Sequence, residues 1–395
     1  MFLYEAIFLA IFTVVLFLAL FPYFMRIFTL VYSRRLKSSS DSAHTEISSS
    51  EELPKISIIL PVFNEEKMIV RKMQNLLSLK YPLSKLEVVV IDGCSTDKTV
   101  ELVKSFEDQR IVLIQNKTRE GVTQATKDGV KVSNGDVVVL TDTEAMFEDN
   151  ALQLLAGDFK DQSIGAVTGI EEIVNPKENL ITQMEHLHRS FYNMFSISES
   201  IAYSTSYFRG EFAAIRKNLF PMNTDSDVGI LDVQIALSAI RAERRAIVDP
   251  NIKFYGLAAN KMSDRNRQKI QRATLNQECI LQNKDLLFTH NFYGRVIFPA
   301  QFATHITSPV LFFASILLFP FVLIVLPWQI DAFLLGVFVV ACLVSKSRDF
   351  IVTFVLSQVY LFIGLFKATV WGRPKFLKQV ESTRREFDPV SNLKS

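Results

Sequence analysis

Cysteine is scarce: three residues, Cys94, Cys279 and Cys342, stand far apart in a chain of 395. They offer no disulfide framework and no metal-ligand spacing, which fits a reducing compartment for the soluble part. A dominant charge is also lacking. Lys and Arg total 43 against 41 Asp and Glu, a net charge of +2, too balanced for a protein that coats nucleic acid. No Gly-x-Gly-x-x-Gly follows the first strand pattern, and no P-loop occurs anywhere. A hydride-transfer dehydrogenase and a P-loop NTPase thus lose their main signatures. Hydrophobicity, by contrast, is abundant. Apolar residues make up 49% of the chain, 33 of them phenylalanine, and the mean hydropathy is +0.21. These values exclude global disorder, and the length suggests two or three structural units.

Much of that hydrophobicity lies at the two ends. Residues 6–25 carry no charge, and 20 residues at ~1.5 Å each cover a hydrocarbon core of ~30 Å. Glu5 precedes the run, without Lys or Arg, and no small-x-small site follows, so it reads as an anchor rather than a signal peptide. Arg26, Arg34, Arg35 and Lys37 come next, which predicts an outer N-terminus and a cytoplasmic domain after it. Near the other end, 296–330, 332–345 and 350–366 are charge-free. The first of these exceeds one span and contains Pro299, His305 and Pro309. We read its start as an interfacial helix and 309–326 as a span. Residues 332–345 can complete a hairpin around Asp331. Residues 350–366 have basic residues on both sides, which leaves three or four spans open. A multi-pass protein of the cell membrane, in contact with its lipids, is the expectation.

Between the ends lies the pattern of a soluble domain. Residues 38–54 hold seven serines and no apolar period, the composition of a flexible linker. From Lys55 onwards, continuous apolar runs alternate with amphipathic stretches. Strands are predicted at 56–60 (ended by Pro61), 86–91, 111–114 and 137–140. Helices are predicted at 65–79, capped by Asn64, from Ser95 or Thr96 to Phe106, and up to Val132. Such alternation predicts an α/β fold with a doubly wound, mixed but mostly parallel sheet. The expected organisation is 1–37 anchor, 38–54 linker, 55–285 catalytic domain, 286–372 interfacial and transmembrane helices, and 373–395 basic tail.

In such sheets ligands bind beyond the carboxyl ends of the strands. Asn64 and Glu65 follow the first strand, Asp92 the second, and Asp142 and Glu144 the fourth. Two carboxylates two residues apart at a strand exit are hard oxygen ligands. They suit Mg²⁺ or Mn²⁺ held on a diphosphate. Asp97 reads instead as a cap or turn acid.

Three segments, Pro61-Val-Phe-Asn-Glu-Glu66, Ile91-Asp-Gly-Cys-Ser-Thr-Asp97 and Leu140-Thr-Asp-Thr-Glu144, resemble the ordered signature of family 2 glycosyltransferases. These are inverting enzymes of GT-A fold that use nucleotide sugars. Arg209-Gly-Glu-Phe-Ala-Ala-Ile-Arg216 is similar to the acceptor-side segment of their membrane-bound members. Leu231-Asp232 stands where they carry the catalytic base, and Arg267-Gln-Lys-Ile-Gln-Arg272 lies near their Gln-x-x-Arg-Trp motif. The resemblance covers about residues 55–285, and the membrane layout resembles the cellulose, hyaluronan and poly-N-acetylglucosamine synthase branch. It implies Asp232 as general base. It also implies donor contacts from Pro61, Asn64, Glu65, Asp92, Asp142, Arg267, Gln268, Gln271 and Arg272. Gly210 and Arg216 would then face the acceptor, and Asp142 and Glu144 the metal. Arg265, Gln268 and Arg272 share one helical face that can close over the diphosphate. Four departures stand out: Glu144 replaces an Asp, Gly93 replaces the second Asp of the usual Asp-Asp-Gly, Leu231 removes one acid beside Asp232, and no Trp follows Arg272. The implied donor is a UDP- or GDP-sugar. The acceptor is a growing glycan or a polyprenyl phosphate, and a non-catalytic scaffold relative is the alternative to an enzyme.

Overall fold

The computed structural model describes residues 2–37, 53–223, 231–370, 381–385 and 387. The serine-rich linker, apart from its last two residues, and most of the basic tail lie outside the described residues. Two compact units form. One contains residues 1–31 and 266–373, the other 32–265 and 374–395. The division falls near residue 265, twenty residues before the expected end of the catalytic domain, and the described tail residues, 381–385 and 387, group with the unit that holds residues 32–265.

In chain order the elements begin with α1 (Phe2–Lys37), β1 (Ile56–Val62), α2 (Ile69–Leu77), β2 (Leu86–Asp92), α3 (Thr99–Lys104) and β3 (Ile111–Gln115). Next come α4 (Val122–Val132), β4 (Val137–Leu140), β5 (Met146–Phe147), α5 (Ala151–Asp158), β6 (Ile164–Ile173) and α6 (Leu180–Ala202). The chain continues with β7 (Ala213–Arg216), α7 (Leu231–Arg241) and β8 (Arg245–Gly256), and α8 (Met262–Gln282) follows. The remainder is α9 (Phe298–Phe302), α10 (Ser308–Val325), α11 (Trp328–Leu343) and α12 (Ser345–Val370).

Among the described residues, eight strands form one sheet in the order β3-β2-β1-β4-β7-β6-β8-β5. β3, β2, β1 and β4 are parallel. β7 runs antiparallel to both β4 and β6. The β1, β2 and β4 residues are buried almost throughout, as their unbroken Val and Ile runs demand of a sheet covered on both faces.

β1 runs through Pro61 rather than stopping before it. Ile59 O accepts from Thr141 N at 3.2 Å, whereas Val62 O accepts from Gly93 N at 2.9 Å. Odd residues of β1 therefore face β4, whose pairing with β1 ends at Leu140. Beyond that level no donor is needed on that side, so proline's missing N–H costs nothing. The helices after β1 and β2 start later than predicted, and neither Asn64 nor Ser95 caps one. Asn64 N donates to Ser95 Oγ at 2.9 Å, and Asn64 Oδ1 accepts from Thr96 N at 2.8 Å. The two loops satisfy each other's backbone, and α2 and α3 begin without side-chain caps.

α5 meets β8 where Asp158 lies beside Asp249. Burial, then the Asp249 carboxylate, pushes Asp158 up to about 8. A carboxyl raised in the folded state adds stability below its ordinary range, and this is lost as pH rises through about 8. Asp158→Asn is expected to flatten that loss and to raise the melting temperature at pH 8. The rise should be a few degrees, since 1 kcal/mol moves it by roughly 2–4 °C in a domain of this size. Thermal melts at acid and alkaline pH check this.

Among the described residues, three helical runs are long and apolar enough to cross a membrane: Leu3–Leu36, Tyr293–Val325 and Ser347–Lys367. The predicted break between an interfacial helix and a span at Pro309 does not occur. Two π-helical turns, Tyr293–Ile297 and Ala303–Thr307, carry the helix into α10. The second turn widens the hydrogen-bond ladder just before Pro309, where an absent N–H is tolerated.

Candidate active site

Site residues gather at the carboxyl rim of the parallel strands, where β1 and β2 end at one level and β4 ends three residues earlier. Val62 pairs with Asp92, and Ile59 with Leu140, in register. Asp92 is buried and accepts from Ser95 N at 3.2 Å on each carboxylate oxygen. Asn64 (φ 53°) and Cys94 (φ 68°) are left-handed there, a conformation that asparagine tolerates better than most residues. Asp97 binds Thr99 N at 3.0 Å and Glu66 N at 3.1 Å, the work of a turn acid.

After β4 the chain turns tightly. Asp142 Oδ1 accepts from Glu144 N at 3.1 Å and from Ala145 N at 3.0 Å. Burial pushes the Asp142 carboxyl well above its usual range, and the Glu211 and Glu144 carboxylates push it further; the Lys72 ammonium pulls the other way. Glu65 and Glu144 are also raised by burial, with Arg384 opposing the shift in both. Carboxylates that raise one another, only partly offset by Lys72 and Arg384, are hard oxygen donors of the kind a divalent cation neutralises. Among the described residues no three His, Cys, Asp or Glu side chains form a closed metal site. Mg²⁺ commonly uses only one or two carboxylates and completes its shell with water and phosphate oxygens. Asp142 and Glu144 fit that partial role.

Asp232 lies in the first turn of α7 and is buried. Its Oδ1 accepts from Val233 N at 2.9 Å. Its Oδ2 lies 3.6 Å from the position a Cβ on Gly210 would take. Glu211 O in turn accepts from Thr141 Oγ1 at 2.9 Å. One short segment, Gly210-Glu211, thus links the Asp232 side of the rim to the Asp142 turn.

Two expectations need correction. Arg216 does not join the rim. β7 is antiparallel to β4 and pairs Arg216 with Val137 and Ala213 with Leu140, so Arg216 sits at the opposite edge of the sheet. Its guanidinium donates to Ile164 O and Phe159 O at 2.8 Å, binding loop carbonyls and not an acceptor. Arg265 is not poised over a diphosphate either. It is buried and paired with Glu185 at 3.2 Å. Glu185 also binds Arg189 at 2.9 Å, and Arg189 contacts Glu171. Arg267 is exposed on α8, with Gln268, Gln271 and Arg272 half-buried.

Three participants escaped the sequence reading. Lys72 is fully buried beneath the Asp142 turn. Ile69, Lys72, Met73 and Leu76 form the buried face of α2, so a lysine at an apolar-period position was the available signal. Glu211 adjoins a residue already singled out, Gly210. Arg384, from the C-terminal segment, pairs with Glu65 at 2.7 Å and with Glu144 at 3.0 Å. No local pattern marks it.

An open, mostly parallel sheet with acids and backbone turns at its carboxyl rim defines an α/β domain built to hold a ligand there. Residues 57–221 match the model of glycosyl transferase family 2. The fold is GT-A. It superimposes on the mannosyltransferase PcManGT from Pyrobaculum calidifontis, solved with GDP-Man and Mn²⁺, at a TM-score of 0.72 and 23% identity, covering 93% of this chain and 99% of that one. The poly-β-1,6-N-acetyl-D-glucosamine synthase of Staphylococcus epidermidis is 25% identical over 246 residues, 60% of this chain and 58% of the synthase. The dolichyl N-acetyl-α-D-glucosaminyl phosphate 3-β-D-2,3-diacetamido-2,3-dideoxy-β-D-glucuronosyltransferase of Methanococcus voltae is 35% identical over 102 residues, 25% of this chain and 32% of that enzyme. The chain thus spans between a third and three-fifths of these two curated relatives.

Proposed function

We propose that the protein is a membrane-embedded, inverting hexosyltransferase that moves a sugar from a UDP- or GDP-sugar onto a growing glycan. The observation that carries this reading is the meeting of Asp92, the Asp142–Glu144 turn and Asp232 over Gly210 at one rim of a family 2 domain. In the reaction an acceptor hydroxyl attacks the anomeric carbon while the nucleoside diphosphate leaves from the opposite face. Asp232 takes the hydroxyl proton. Asp92 holds the nucleoside end, with Pro61, Asn64 and Glu65 shaping the loop beside it. Asp142, with Glu144, would hold Mg²⁺ or Mn²⁺, and the bound ion would offset charge on the departing diphosphate. Arg267, Gln268, Gln271 and Arg272 are the proposed cationic and amide contacts to that diphosphate, and Gly210 leaves room for the acceptor. Arg26, Arg34, Arg35 and Lys37 after the first apolar run support a multi-pass protein with its catalytic domain in the cytoplasm.

A lipid-phosphate acceptor is the second reading, favoured by the missing Trp after Arg272 and by the Methanococcus relative. Detergent-solubilised protein incubated with a panel of UDP- and GDP-sugars, followed by mass analysis, tests both. Polymer supports the first reading and lipid monosaccharide the second. Failure to hydrolyse or transfer any donor supports a scaffold.

Arg384 neutralises Glu65 and Glu144, and a divalent ion must compete with it for Glu144. Arg384→Ala is therefore expected to lower the Mn²⁺ concentration for half-maximal activity by about tenfold. This is the scale of one charge-assisted hydrogen bond of about 1.5 kcal/mol. A metal titration of the initial rate checks it, and an unchanged requirement would show that the ion pair does not compete.

A further inference from the structure

α2 places a lysine where its period calls for an aliphatic residue. Lys72 has no exposed surface, and among the described residues it forms no ion pair. An ammonium so buried carries a large desolvation penalty unless every N–H is occupied. Here each is. Nζ donates to Thr141 Oγ1 at 2.8 Å and to Ala145 O at 2.5 Å, and it stands 4.4 Å from the centre of the Phe147 ring. A methionine could pack on the same ring without that penalty, so packing alone does not account for the charge.

What the contacts share is the acidic turn. Thr141 immediately precedes Asp142, and Ala145 immediately follows Glu144. The ammonium therefore grips both ends of the segment that carries the two carboxylates. Thr141 Oγ1, which accepts from Lys72, donates its own O–H to Glu211 O at 2.9 Å. That bond extends the grip to the segment under Asp232. α2 itself is fixed to β5: Asn75 Nδ2 donates to Phe147 O at 2.9 Å, and Phe147 N donates to Asn75 Oδ1 at 2.8 Å. The clamp therefore stands on a rigid base.

The geometry points to Lys72 as a positioning residue that holds the Asp142-Thr143-Glu144 turn in its metal- and diphosphate-binding shape and ties it to the Gly210-Glu211 segment. This role rests on the reading of Asp142 as a metal ligand. Lys72 touches neither donor nor acceptor in it.

Mn²⁺ binding in the presence of UDP, followed by electron paramagnetic resonance on the full-length protein in detergent, tests the role without turnover. Lys72→Met should weaken Mn²⁺ binding by about 10–100-fold, the usual effect of losing a group that orients a ligand. UDP affinity without metal and the melting profile should stay close to wild type. Thr141→Val should weaken Mn²⁺ binding by a smaller factor, while Thr141→Ser, which keeps the hydroxyl, should not. Lys72→Met combined with Thr141→Val should be little worse than Lys72→Met, because both break one network. Mn²⁺ binding unchanged in Lys72→Met but lost in Asp142→Asn overturns the clamp and leaves the metal reading intact. Mn²⁺ binding unchanged in Asp142→Asn overturns the metal reading and the clamp with it. If Lys72→Met does not fold, the threonine pair decides, and equal behaviour of Val and Ser overturns the proposal.

Discussion

Asp232→Asn is expected to lower transfer by about 10²–10⁴-fold, the range that a general base contributes. The substitution is nearly isosteric and keeps the acceptor that caps α7, since Oδ1 already receives Val233 N at 2.9 Å. Folding should therefore survive, with a melting profile close to wild type. Donor affinity should survive as well, because Asp232 lies over Gly210, on the proposed acceptor side. What is lost is the oxygen basicity needed when an acceptor hydroxyl becomes a nucleophile. Initial rates at saturating donor, with UDP affinity measured on the same preparation, separate the two effects. Transfer above about a tenth of the wild-type rate would remove Asp232 from the role, because a missing base costs more than that.

Legibility from sequence varied with the range of the interaction. The parallel half of the sheet was readable because Val and Ile runs at β1, β2 and β4 demand burial on both faces. The acids at their ends were readable for the same reason, since chain order and sheet order nearly coincide there. β7 broke the pattern. It reverses direction between β4 and β6, and a four-residue strand carries no signal of its direction. Arg216 was therefore assigned to the wrong edge, although Gly210, only six positions earlier, lies at the rim. Arg265 shares a helical face with Gln268 and Arg272, but helical spacing cannot show that Glu185, 80 positions away, has claimed it. Arg384 was the least legible of all. Its partners lie 240 and more positions away, and only tertiary structure brings them together. The caps at Asn64 and Ser95 failed for a related reason, because side chains that commonly close helix ends satisfy a neighbouring loop instead.

Removing Asp142 should separate activity from stability. Asp142→Asn is expected to lower transfer by about 10²–10³-fold, the scale of losing one preorganised stabiliser of developing charge. Full activity in excess chelator would contradict the metal role outright. The same variant should nevertheless melt at a higher temperature than wild type at neutral pH without metal. Burial and the Glu211 and Glu144 carboxylates hold the Asp142 carboxyl above its usual range even though Lys72 opposes them. A carboxyl raised on folding stabilises only while protonated, and that stability is lost as pH rises through its folded value. Asparagine cannot ionise, so the variant should escape the loss and show less dependence on pH. Mn²⁺ with UDP should reverse the order by stabilising wild type more strongly, since only a ligand that binds the folded state shifts its melting. Melting curves of both proteins, with and without Mn²⁺ and UDP, read all of this in one experiment. Equal melting of the two proteins without metal would mean that Asp142 is not held against its neighbours' charge. The acidic turn would then lack the electrostatic strain that a bound cation is expected to relieve.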